Sequence, residues 1–460
     1  MNETSVMIGL EIHTYLDTKS KLFCGCSTDI TDANPNTHCC PVCLGHPGSK
    51  PVLNAKAVEY AIKVGLALNC KINEDFFFSR KTYFYPDMSA NYQITQYEIP
   101  VAEAGFVMLN DKKIGITRAH LEIDPAALIH PGGMGSSNYS LIDYNRSGFA
   151  LLEIVTDPDM KSPGEAREFL KNLENILSYL QVLMPGSTLK ADCNVSINGG
   201  SRVEIKNISG FAAAEKALTY EINRLKQEEK LGRTVELHTR AFDADTGKTL
   251  LLRKKETEED YGYIFDPDLV KVSLETKQIE KIKSSMPELP KQKQKRFVTD
   301  YGLAELDAIV LCSDLGLGNL FESLVEKKAE PKITSNLLTR ELLSILNHDS
   351  LILNNVEISF DALFDLIMLM TGGKVNDRNV KRSMINYISG DKQLPKEYLE
   401  QNDLLVDDSI DVDKIIIETL EGNPEAITDY QGGNEKVLNF LAGLIMRETK
   451  GAIRIDEVMQ

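Results

Sequence analysis

An α+β fold is predicted, with a strand-rich part of roughly 290 residues followed by helical text to the end of the chain. Three observations predict it. Short β-branched and aromatic runs alternate with Gly, Pro and Asn punctuation up to about residue 285. The string SMPELP at 285–290 then breaks the pattern, and a Lys-rich helical text follows it. At 460 residues, finally, the chain is too long for one hydrophobic core, so two or three domains are expected.

Taken in order, the chain opens on an apolar run at 6–10 that continues into Glu11-Ile12-His13. This reads as a strand with Glu11 and His13 on the same face. Helices are predicted at 54–68, at 162–183 with Ser162-Pro163 as its N-terminal signal, and at 211–230. Between them, strands are predicted at 76–78, 92–94, 106–109, 114–116, 151–155 and 203–205. Beyond 292 only helical periodicity is found, for example at 335–346, 360–370 and 438–447. The boundaries are placed at 1–292, 293–405 and 406–460, the second of them beside the polar, acidic stretch 401–408.

Composition narrows the class of protein. Apolar residues make up 42% and charged residues 26%, as in ordinary globular chains. No run of eighteen apolar residues and no secretory leader pattern is present, so a cytoplasmic protein without membrane insertion is expected. A net charge of −17 excludes a wholly basic surface but not a local basic patch. Eight cysteines in such a chain point to metal or free thiols rather than disulfides.

Two constellations carry chemistry. Acids lie inside strand-like text at Glu11, Glu122, Asp124, Glu153, Asp192 and Glu204, joined by His13, His120 and Asn194. A charge in such text needs a partner, either separate salt bridges or a shared metal. Oxygen donors with one imidazole suit Mg²⁺ or Mn²⁺ bridging phosphates. The second constellation is Cys24-x-Cys26 and Cys40-x-x-Cys43, two close pairs whose spacing favours a structural Zn²⁺ site. Cys39 is a fifth candidate that could replace Cys40, while Cys70, Cys193 and Cys312 read as buried apolar residues.

Cations form two further groups. RKTYFYPD at 80–87 interleaves Arg and Lys with aromatics, as a base-stacking surface or a strand with one packed face would. Lys374, Arg378, Lys381 and Arg382, with Lys392 and Lys396 beyond, make the clearest basic cluster in the helical part, suited to a tRNA or other RNA backbone or else to a solvated helix face. Familiar nucleotide motifs fail. The glycine that a P-loop ending in Gly247-Lys248-Thr249 requires is Phe242, and the third glycine after Gly316-x-Gly318 is Phe321.

Many strings together resemble the B subunits of the tRNA-dependent amidotransferases, the GatB family, over nearly the whole chain. They include IGLEIH, SKLFCGC, CPVCLGHPG, RKTYFYPD, YQITQ, DYNRSG, LLEIVTDPD, ADCNVSI, VEIKN, DYGYIFDPDL and GLIMRETKG. The resemblance implies a β-rich catalytic cradle domain, a helical domain and a small helical YqeY-like tail domain that contact tRNA. It implies a ligase that uses ATP to phosphorylate the side-chain carboxylate of mischarged Glu-tRNA or Asp-tRNA. Ammonia supplied by an amidase-type A subunit then displaces the phosphate, with a small C subunit bracing the pair. It assigns Glu11, His13, Glu122 and Glu153 to Mg²⁺ or Mn²⁺, Glu204 to a place beside a second ion, and Cys24, Cys26, Cys40 and Cys43 to Zn²⁺. Asp192 and Asn194 are weaker candidates.

The chain departs from the family pattern at several points. Ile123 stands where the family has a second Glu, Ser89-Ala90-Asn91 replaces a Pro-Lys/Ser-Gly string, and Gly262 replaces a cation. The tail also ends soon after Gly451. A divergent or silent relative that only binds tRNA is therefore the second reading.

Overall fold

The computed structural model describes residues 4–132, 137–254, 261–406, 412–434, 436–449 and 458–459. Asp260 of the aromatic string, part of the acidic stretch at 401–408 and the tail at Gly451 lie outside the described residues. The chain divides into two compact units, Met1–Leu289 and Pro290–Gln460.

The first unit is built on a nine-stranded sheet. In chain order its strands are β1 (Val6–Tyr15), β2 (Lys71–Ile72), β3 (Ala102–Leu109), β4 (Lys112–Ile123), β5 (Ala150–Thr156), β6 (Lys190–Ile197), β7 (Val203–Lys206), β8 (His238–Asp243) and β9 (Lys248–Lys254). Their spatial order is β9-β8-β7-β6-β1-β5-β4-β3-β2, and every pairing is antiparallel except β7 with β8. The first strand in sequence is thus a central strand in space. It lies between β5 and β6, which come much later in the chain.

Strand alternation decides the two faces. In β1 the residues Ile8, Leu10 and Ile12 are fully buried, while Glu11 and His13 turn to the opposite side. The apolar face is covered by helices α1 (Ala55–Ala67), α2 (Pro163–Tyr179) and α3 (Phe211–Lys230). Phe169, Leu170, Leu173 and Leu177 of α2 and Ala214, Ala217 and Leu218 of α3 join the same core as β1. The Ser162 hydroxyl caps α2 by accepting from the Glu165 N–H, with Pro163 in the first turn. This helix stops at Tyr179, short of the predicted 183, because Gln181 takes φ +52 and Leu183 bridges back to Leu16.

Over the polar face lies a small sheet formed by Ser79–Thr82, Tyr92–Thr95 and Ile264–Phe265. Gln93 donates to the Ile123 carbonyl at 2.8 Å, and Thr95 donates to Glu122 at 3.3 Å.

The described part of the second unit is helical, with a separate core around Phe297, Phe321, Leu338, Leu363 and Met384. The helical text at 335–346 contains a π-helical turn at Leu337–Leu342 between two α-helical pieces. No single helix among the described residues is long and apolar enough to cross a membrane.

Candidate active site

Register across five adjacent strands brings the sequence-predicted acids to one sheet face. His13 on β1 lies directly opposite Glu153 on β5, which in turn lies opposite His120 on β4. On the other side Glu11 faces Asp192 on β6, and Asn194 on β6 faces Glu204 on β7. Residues from Glu11 to Glu204 therefore meet without being near in sequence. Glu11, His13, Glu122, Glu153 and Asp192 line one cavity of about 520 Å³.

The face carries two clusters. His13 Nε2 lies 3.2 Å from Glu153 Oε2 and 3.6 Å from Glu122 Oε1, and one donor atom from each of the three residues falls within 4.8 Å of the others. Glu11, Asp192 and Glu204 form a second group of the same tightness. Glu11 thus sits with the second cluster, separate from the other three residues of its predicted set. The Asn194 side chain donates to Glu11 Oε1 at 2.9 Å, and the Thr239 hydroxyl donates to Glu204 Oε2 at 2.8 Å. Lys206 Nζ is 2.8 Å from Asp192 Oδ2.

Electrostatics in this buried setting is strongly coupled. Burial alone would lower His13, but contact with Glu153 and the charges of Glu153, Glu122 and Asp192 outweigh it and raise the imidazole to about 9. Burial, then the Glu153 charge, pushes Glu122 up to about 7. Burial opposes ionisation of Glu153 too, yet His120 and His13 hold it below the usual carboxylate range. His120, kept neutral chiefly by burial, falls to about 4. Burial also works against the charge on Lys206, but Asp192 and Glu204 offset it and lift the group above the ordinary lysine range.

Can these residues hold a divalent cation? The donor chemistry fits: a half-buried imidazole with two carboxylates, beside three more carboxylates. Glu122 and Glu153 repel one another in a buried place where a cation between them would remove the penalty. The buried Nδ1 of His120 has no hydrogen-bond partner among the described residues.

Several neighbours have other roles. Asp124 lines the cavity but is bound by Arg146 at 2.5 Å and by the Tyr15 hydroxyl at 2.7 Å. Arg80 is held by Asp266 and Asp268, each at 2.9 Å, so it is engaged within the protein. Lys81 lies over the Tyr261 ring at 4.5 Å and reaches the acid cavity, while Phe84 is 77% exposed. Lys190 and Lys206 also line this cavity. Sequence reading did not single out these two lysines, although each lies two residues from a flagged acid.

One departure, Ile123, lies off the acid face. Ile123 alternates with Glu122 and lines a second cavity of about 220 Å³ with Phe23, Val42, Met88, Ala90 and Ile94. Gly262 has φ +49, and a Cβ there would meet only Thr82, at 3.9 Å. The rejected phosphate-loop string is a hairpin turn, in which Asp243 accepts from Thr246 and Gly247 takes φ +67.

The four cysteine sulfurs of Cys24, Cys26, Cys40 and Cys43 lie within 4.8 Å of one another. Cys39 turns its thiol to Asn145 at 3.8 Å, so Cys40 is the member of the group. A hydrogen bond from Cys24, opposed by burial and aided by the Cys40 backbone and Lys21, lowers Cys43 to about 4. Cys70, Cys193 and Cys312 are buried. In the second unit, Arg378, Lys381 and Arg382 lie exposed on helix Asp377–Ser389, and Lys374 lies just before it, half-buried.

Residues 6–280 match the family model described as the GatB/GatE catalytic domain, and residues 319–460 match the GatB domain. The chain is 43% identical to the B subunit of the aspartyl/glutamyl-tRNA(Asn/Gln) amidotransferase of Methanosarcina acetivorans, over 98% of this chain and 96% of that protein. It is 40% identical to the protein of that name from Thermotoga neapolitana, over 97% and 95% of the two chains. For Carboxydothermus hydrogenoformans the identity is 39%, over 100% and 98%.

Proposed function

Since the chain belongs to the GatB family of tRNA-dependent amidotransferase B subunits, we propose that it activates and amidates the side-chain carboxylate of Glu-tRNA(Gln), Asp-tRNA(Asn) or both. The γ-phosphoryl group of ATP passes to the carboxylate and ADP leaves. Ammonia then attacks the acyl carbon, the bond to phosphate breaks, and the amide remains on the tRNA. The single observation that carries this reading is the convergence of His13, Glu122 and Glu153 beside Glu11, Asp192 and Glu204 on one sheet face.

In this reading His13, Glu122 and Glu153 hold one Mg²⁺ or Mn²⁺, and Glu11, Asp192 and Glu204 hold a second. Such ions, when bound, neutralise the anions that must meet for phosphoryl transfer. The chain's own groups do the rest. Lys81 and Lys190 offer cations to phosphate oxygens along the cavity wall. Thr95 fixes the Glu122 carboxylate from above. Cys24, Cys26, Cys40 and Cys43 bind a structural Zn²⁺ that pins the loop between β1 and α1.

Ammonia reaches the site from an amidase-type A subunit braced by a small C subunit. The helical parts 293–405 and 406–460 hold the tRNA, with Lys374, Arg378, Lys381 and Arg382 on its backbone. A cytoplasmic setting follows from that substrate. Against the silent, purely tRNA-binding reading stands the position of Ile123, which lines a cavity other than that of the acids. Incubating the assembled complex with mischarged tRNA, ATP and glutamine tests the proposal. Amide product on either tRNA, lost in Glu122→Gln, supports it; no product on both tRNAs overturns it.

A further inference from the structure

The second acid cluster already contains a cation of the protein's own. Lys206 Nζ lies 2.8 Å from Asp192 Oδ2 and 3.5 Å from Glu204 Oε1. Those two carboxylates and Glu11 are the three whose oxygens fall within 4.8 Å of one another. Glu204 is also clamped by Thr239 and Glu11 by Asn194, so the carboxylates are held in place while the lysine stem is flexible. The first cluster is built differently, because its basic member is the His13 imidazole, itself a metal-ligating side chain beside Glu153 and Glu122. An ammonium has no lone pair for a metal, and on a tethered stem it can swing away. It has somewhere to go, since Lys206 lines the open cavity shared with Lys81 and Lys190, and its side chain is 35% exposed.

We propose that Lys206 is an exchangeable counterion, seated on Asp192 and Glu204 until a divalent cation arrives with a polyphosphate, and then turned onto a phosphate oxygen of that ligand. This rests on the reading of the site as an ATP- and cation-using centre. The physical reason is charge balance. A dication seated among the three carboxylates would lie a few ångströms from the ammonium, and the two repel strongly in a partly desolvated cleft. Expelled alone, the ammonium loses its anionic partners; expelled toward a triphosphate, it gains new ones. The second ion and the nucleotide therefore bind as a unit, while the first ion binds by itself. The role makes Lys206 a contact to substrate as well as the reason the two ion sites are unequal.

The test counts Mn²⁺ bound to the full-length protein, by spin-resonance titration, with and without a non-hydrolysable ATP analogue. Wild type is expected to take one tight ion alone and two with the analogue. Lys206→Met is expected to take two ions without nucleotide, its second about tenfold or more tighter than in wild type, and to bind the analogue more weakly. Lys206→Arg keeps the charge and is expected to show the wild-type ion count. Two equally tight ions in nucleotide-free wild type overturn the inference without recourse to any variant. A folded Lys206→Met protein that still takes a single ion overturns it too. Absence of ion binding in every protein, even with the analogue, overturns the underlying reading of the centre as well.

Discussion

His13 and Glu153 face each other across the β1–β5 pair, with His13 Nε2 3.2 Å from Glu153 Oε2. The pair places a positive ring where a divalent cation is expected. Entry of a divalent cation there would exchange protons for metal.

Glu122→Gln removes one donor from the three-residue cluster while keeping size and the hydrogen bond from Thr95. Amide formation should fall by roughly 100-fold or more. The melting temperature of the ion-free protein should hold or rise at pH 8, because a buried carboxylate that ionises near pH 7 is gone. Activity measured beside thermal denaturation separates the two effects.

The apparent affinity for Mn²⁺ at the His13 cluster should climb from pH 6 to about 9 and then level. The ion must expel the His13 proton, held to about 9, and the Glu122 proton, held to about 7. The sign for stability is opposite. A raised folded-state pKa gives His13 a stabilising contribution that is complete below about 6.5 and lost as pH rises through 9. Glu122 adds the same trend between about 4.5 and 7. Glu153 and His120, both depressed, lose their contributions only on the acid side. From pH 6.5 to 9 these groups should therefore make the ion-free protein less stable, and added Mn²⁺ should reverse the loss. Calorimetry in buffers of different ionisation enthalpy would count the protons released; none released near pH 7 contradicts the exchange.

Cys40→Ser should reduce bound zinc, measured by elemental analysis, from one ion per chain to a substoichiometric amount and lower the melting temperature. Cys39→Ser should change neither, since its thiol faces Asn145 outside the four-sulfur group. Equal loss in both variants would mean that the site draws on Cys39 after all.

Charge reversal at Lys381 and Arg382 should weaken tRNA binding several-fold and reduce its salt dependence by about one for each phosphate no longer neutralised. Both residues are exposed on helix Asp377–Ser389, so folding should be unaffected. Filter binding across a salt series distinguishes this from a solvated helix face, for which the slope would not move.

Much of the site was legible because strand alternation is local. Glu11 with His13, and His120 with Glu122, share a face by spacing alone. The two cysteine pairs announced their cluster in the same way. What could not be read was the division of labour among the acids. Glu11 belongs with Asp192 and Glu204 because of β1–β6 register, and nothing near Glu11 in the chain encodes it. The same holds for Arg80, whose partners Asp266 and Asp268 are 186 and 188 residues away. Asp124, spaced to share a face with Glu122, follows the last residue of its strand and is taken by Arg146 and Tyr15 instead.

From the sequence alone came the types of donor, their local faces, the paired thiols, the change from strand to helical text and the family resemblance. All of these are set by residue type and short-range periodicity. Tertiary structure alone decided which carboxylates come within 4.8 Å of one another, that Cys39 stands aside, and that Lys206 sits among the acids it neutralises. The physical reason is that coordination and charge pairing depend on distances of a few ångströms between strands far apart in the chain. Only sheet order and register determine those distances.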